Sequence, residues 1–190
     1  LFSVDAPLGQ VRMAIVATWW MLREADIANL CVKSVVPHPG GIMGLNFETQ
    51  KNDQEGLGET IYLQCICGAG PVWYCPTCAL HEQVVFVQRR FNDFSPMGKC
   101  PLPLFPRNSG GVVEKKRVVE VVEEVAKQSG FLLVTATGKR RFGGHFFRIL
   151  GATWLCERGI AKERIMALGR WKSDAVDRYL RNAPMKTVFS

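Results

Sequence analysis

No stretch of this 190-residue chain is apolar for the roughly 20 residues that a helix needs to cross a bilayer. Its start carries no basic segment followed by an apolar one, so neither a membrane partner nor a secretory leader is expected. The chain opens Leu1-Phe2-Ser3 rather than on methionine, as a fragment or processed piece would. It has no internal repeat and no low-complexity segment. Tyrosine is scarce: Tyr62, Tyr74 and Tyr179 are the only three. The seven cysteines are an odd number and four of them cluster, which argues against a secreted disulfide framework. A reducing, intracellular setting is expected instead, nuclear if the host is eukaryotic. With 47% apolar and 22% charged residues the chain is globular rather than disordered, and its length suits one domain over 1–190.

The net charge of +7 favours an acidic polymer as partner. Spacing of apolar residues predicts a helix over Arg12–Leu30, with Met13, Val16, Ala17, Trp20, Ile27 and Leu30 on its apolar face. Short strands are expected at Val32–Val36, Gly41–Phe47 and Glu59–Leu63, separated by turn residues and forming an antiparallel sheet. Helices follow at Cys78–Phe91, Glu114–Ser129, Gly143–Arg158, Ala161–Leu168 and Ser173–Arg181, with Gly159 and Gly169 as stops. In Glu114–Ser129 the inward residues are Val118, Val121, Val122 and Val125. Five prolines make Ser95–Gly111 a loop. The fold class is α+β, mostly helical with one small sheet and a cysteine-rich insert.

Chemistry concentrates in the last third. His145 and Arg148 stand three apart, on one face of the expected helix, after a permissive Gly143-Gly144 pair. Leu168-Gly169-Arg170-Trp171 follows, and then Tyr179 in a basic tail. Upstream, Arg23 precedes Asp26 by three residues, and Lys51 sits at an expected hairpin tip. Singly, each has a plainer explanation: a helix-surface arginine paired to Asp26, a solvated turn lysine, an aromatic packed on a terminal helix. Together they suit a phosphodiester. Two arginines can hold phosphate oxygens by charge-assisted hydrogen bonds. Fixed donors matter most as negative charge builds on those oxygens. A tyrosine oxygen can attack phosphorus to form a covalent intermediate. Its phenol, ordinarily with a pKa of about 10, needs positive neighbours.

In this order the residues resemble the catalytic domain of the tyrosine recombinase (phage integrase) family, over residues 11–183. The stretch Leu168 to Ala175 is closest in motif to recombinases of DIRS and Crypton mobile elements. Where the family more often has Gly and Glu, this chain has Met21 and Asp26. The resemblance implies site-specific DNA recombination through a 3′-phosphotyrosyl intermediate. It assigns catalytic roles to Arg23, Lys51, His145, Arg148, Trp171 and Tyr179, with no cofactor for catalysis. Counting back nine residues from Tyr179 gives Arg170 for the histidine-or-tryptophan box, whereas residue type gives Trp171. The implied partner is double-stranded DNA. The N-terminal DNA-clamping domain is expected to be absent, and the short tail after Tyr179 suggests a monomer that assembles on DNA. A catalytically inactive DNA-binding relic and a type IB topoisomerase-like enzyme are the alternatives.

Cys65-x-Cys67 and Cys75-x-x-Cys78 lie in a segment, 64–81, that this family does not require. Two close pairs across a loop can supply a tetrahedral zinc site, with His81 able to replace one thiolate. The expected ligands are Cys65, Cys67, Cys75 and Cys78, holding a structural zinc. Cys31 and Cys156 read as core residues, and Cys100 has no sequence explanation.

Overall fold

The first expected helix is two helices in the computed structural model, which describes residues 5–48 and 58–180. Helix α1 spans Gln10–Trp19 and α2 spans Glu24–Asn29. The chain breaks at Met21, which adopts a left-handed φ of 48°. Apolar spacing runs through the break, and Met13, Val16, Ala17, Trp20, Ile27 and Leu30 are all buried as expected. The left-handed turn sends Met21 into a different apolar cluster from its neighbours Trp20 and Leu22.

A three-stranded antiparallel sheet follows, in the order β1-β2-β3: Val35–His38, Ile42–Phe47 and Glu59–Gln64. Val35 pairs with Leu45, and Leu45 with Ile61. The first strand begins three residues later than expected because Val32–Ser34 forms a 3-10 turn. Met43, Leu45 and Phe47 bury one face, and Trp20 pins the sheet by donating its indole N–H to the Ile61 oxygen at 2.9 Å.

Helix α3, Pro76–Phe91, starts two residues before the expected Cys78, with Pro76 at its first position, where no N–H is needed. Residues 95–111 are a loop holding one 3-10 turn, Met97–Lys99. Cys100 after it is fully buried in the main core, whereas Cys31 and Cys156 are only half-buried. Helix α4, Lys115–Gln128, buries Val118, Val119, Val121 and Val122. Val125 is 49% exposed rather than inward, because the core ends before the last turn of α4 except at Ala126.

Helix α5, Phe146–Glu157, crosses α1 closely: a Cβ at Gly151 would collide with the Thr18 carbonyl oxygen. Helix α6, Lys162–Gly169, is followed by a 3-10 turn, Asp174–Val176, and by α7, Asp177–Leu180. Gly159 takes a left-handed φ of 76° after α5, but at the end of α6 the left-handed residue is Arg170, not Gly169. A main core joins α1 to α4 and the sheet, and a second cluster of Met21, Ala152, Leu155, Ile165 and Val176 joins α5 to the C-terminal elements. The fold is thus mostly helical with one small antiparallel sheet. Among the described residues no helix is long and apolar enough to cross a membrane.

Candidate active site and candidate metal centre

Arg23 caps the start of α2, and the cap is polar. Its backbone N–H donates to Asp26 Oδ2 at 2.9 Å, and its guanidinium lies 3.3–3.4 Å from the same carboxylate. The helix break at Met21 is what places Arg23 at this corner. Asp26 also accepts from Nη2 of Arg170, 144 residues away, at 2.9 Å. One carboxylate therefore serves two guanidinium groups. Arg23 keeps about a third of its side chain in solvent, whereas the Arg170 side chain is 1% exposed.

His145 caps α5 and is exposed, while Arg148, in the first turn, is buried. The two do not share a helical face, since His145 precedes the helix. The glycine pair brings the chain against α2: a Cβ at Gly144 would collide with the Glu24 carboxylate, and the Glu24 N–H donates to the Gly144 oxygen at 3.0 Å. Arg148 donates its Nε–H to the Met21 oxygen at 3.0 Å. Burial pushes the Arg148 guanidinium down to about 10, helped by repulsion from Arg170 and Arg23 and opposed by Asp26 and Tyr179. It stays charged at neutral pH. Burial also lowers Arg170, with Asp26 opposing.

Trp171 lies between Arg148 and Tyr179. The Arg148 guanidinium carbon is 5.1 Å from its ring centroid, and the Tyr179 ring is 6.0 Å away. Thr153 of α5 holds the tyrosine's backbone through a hydrogen bond of 3.4 Å to the Tyr179 oxygen. Arg170 turns the other way, onto the Phe47 ring at 3.7 Å.

The structure thus gathers Arg23, Arg148, Trp171 and Tyr179, with Arg170 and Asp26 beside them. His145 makes no side-chain hydrogen bond among the described residues, and Lys51 lies outside those residues. Among the described residues, three buried arginine nitrogens have no acceptor: Nη2 of Arg148, and Nε and Nη1 of Arg170. Buried N–H groups without partners are rare. The shared role of Asp26 was not readable from the sequence, because its second partner is distant. Glu24, whose Oε2 is buried without a partner among the described residues, gave no sequence signal either.

The cysteine segment converges as its spacing suggests. The four sulfurs of Cys65, Cys67, Cys75 and Cys78 lie within 4.8 Å of one another. Individual separations are 3.6 Å for Cys65–Cys75, 4.0 Å for Cys65–Cys78 and 3.5 Å for Cys67–Cys78. A tetrahedral ion with metal–sulfur bonds of about 2.3 Å needs sulfurs about 3.8 Å apart. The residues present fit a metal ion. His81 is exposed and is not part of this set. The cluster links the end of β3 to Cys75, which caps α3.

Several basic residues in the last third of the chain are engaged within it. Arg140 pairs with Glu123, Lys162 with Asp174 and Asp177 at 2.8 and 2.7 Å, and Arg158 stacks on Trp154 at 3.9 Å. Lys139, Arg141 and Arg164 are exposed.

No protein-family model and no curated protein matches the sequence. Solved structures do match. XerH site-specific recombinase bound to a palindromic difH substrate, in a post-cleavage complex, superposes with a TM-score of 0.64 at 12% identity, over 92% of this chain and 42% of that one. A lambda integrase dimer bound to a COC′ core site gives 0.64 at 17% identity, over 96% and 45%. A lambda integrase(75-356) dimer on the same site gives 0.62 at 17% identity, over 96% and 56%. The chain spans about half the length of these proteins. The match covers nearly all of this chain, which has the fold of a tyrosine recombinase catalytic domain.

Proposed function

We propose that this chain breaks and rejoins the strands of double-stranded DNA, with Tyr179 as nucleophile. The Tyr179 oxygen attacks the scissile phosphorus and loses its proton. The bond from phosphorus to the 5′-oxygen breaks, leaving a 3′-phosphotyrosyl link and a 5′-hydroxyl. Attack by a 5′-hydroxyl on that link rejoins a strand and releases the tyrosine. Arg23 and Arg148 hold the non-bridging oxygens as charge builds on them. His145 and the indole N–H of Trp171 donate to the same group, and Lys51 protonates the departing 5′-oxygen. The single observation that carries this reading is Arg148: buried, fixed by Met21, next to Trp171 and Tyr179, and left with an N–H that no described residue accepts. The three superposed recombinase structures all contain DNA, and the net charge of +7 favours the same partner here. A nicked duplex that traps the covalent intermediate tests the reading: the chain should form a protein–DNA adduct that survives denaturation.

The four-cysteine set is proposed as a structural zinc site. The sulfur separations support it, as does the position of the set between the last strand and α3. Bound there, zinc contributes folding free energy.

A further inference from the structure

Arg170 combines four observations that the proposed reaction leaves unused. It is a left-handed non-glycine residue at φ 55°, a conformation uncommon for a long side chain. Its side chain is 1% exposed and lies on the Phe47 ring, turned away from Trp171 and Tyr179. Two of its three nitrogens lack acceptors among the described residues. The third is spent on Asp26, the carboxylate that also holds Arg23. A buried charge with unmet donors is a weak source of stability, and its replacement by an apolar side chain is often neutral or stabilising. Such a residue, in a strained backbone conformation, is better explained by function than by folding.

We infer that Arg170 is a positioning residue that neutralises Asp26, so that the positive charge of Arg23 remains available to a DNA phosphate. This rests on the proposed strand-cleavage reading. Without Arg170, the whole negative charge of Asp26 faces Arg23, 3.3 Å away, and also reduces the positive potential at Arg148. The corner that binds phosphate would then be held closed by its own carboxylate. Asp26 retains one purely structural task, accepting the Arg23 backbone N–H at the start of α2. An asparagine oxygen can do that equally well.

The test is a double-mutant cycle with Arg170→Met and Asp26→Asn, read as the single-turnover rate of adduct formation on the nicked duplex, alongside the melting temperature. Arg170→Met should fold, melt within a few degrees of wild type, and cleave about 100-fold more slowly, the size of one lost transition-state donor. Adding Asp26→Asn should restore the rate to within about tenfold of Asp26→Asn alone, a strongly non-additive result for residues in contact. Additive losses would overturn the inference, because they would mean that Arg170 acts on the substrate itself. Unfolding of both Arg170→Met variants would overturn it too, by making the residue structural. Wild-type protein that forms no adduct rejects the strand-cleavage reading and this inference with it. Wild-type adduct with an additive cycle rejects the inference alone.

Discussion

Arg148 donates its Nε–H to the main-chain oxygen of Met21, across 127 residues of sequence. Met21 is the left-handed residue at which the first helical segment breaks. The bond fixes one side of the guanidinium to backbone and ties α5 to the corner that presents Arg23. An arginine held in this way needs no reorganisation when an oxyanion arrives, and preorganised donors are what stabilise developing charge.

Arg148→Ala should therefore lower the rate of covalent adduct formation by about 100-fold or more, equivalent to about 3 kcal/mol. DNA affinity should change far less, since one contact among many is lost. Adduct formation at the wild-type rate would remove Arg148 from the phosphate clamp. A parallel fall in affinity and rate would make it a binding residue only.

The cysteine centre leads to a separate expectation. Purified protein should carry about one zinc per chain by elemental analysis. Chelation, or Cys75→Ser, should lower the melting temperature, because a closed metal site ties β3 to α3 and contributes to folding. Metal-free protein with an unchanged melting temperature after Cys75→Ser would show that the four thiols are ordinary packing.

DNA binding should weaken with salt, but less steeply than the sequence suggests. Each neutralised phosphate contributes about −0.9 to the slope of log affinity against log salt. Lys139, Arg140, Arg141, Arg158, Lys162, Arg164, Arg170 and Lys172 would together suggest eight. Arg140, Lys162 and Arg170 are ion-paired within the chain, so no more than five of these are expected to contribute. A slope that requires all eight would mean that these pairs open on DNA.

Much of the architecture was legible because it rests on local chemistry. Turn residues bounded β2 and β3 to within a residue, and the paired cysteines announced a cluster that the fold assembles. The break at Met21 was not legible: apolar spacing continues through it, and a long-range partner stabilises it. Spacing also put His145 and Arg148 on one helical face, whereas the helix begins only at Phe146, after Gly144 has passed close against Glu24. Nor could spacing show how Arg170 and Trp171 are oriented. Neighbours in sequence, they point to opposite sides, Trp171 towards Arg148 and Tyr179, and Arg170 towards Asp26 and Phe47.

The central claim is that Tyr179 becomes covalently joined to DNA. Digesting the adduct trapped on a nicked duplex and sequencing the modified peptide by mass spectrometry tests it most directly. The account predicts a nucleotide attached through its 3′-phosphate to Tyr179, and no adduct from Tyr179→Phe, which should still bind DNA nearly as well as wild type. Attachment at Tyr62 or Tyr74, or an undiminished adduct from Tyr179→Phe, would contradict it.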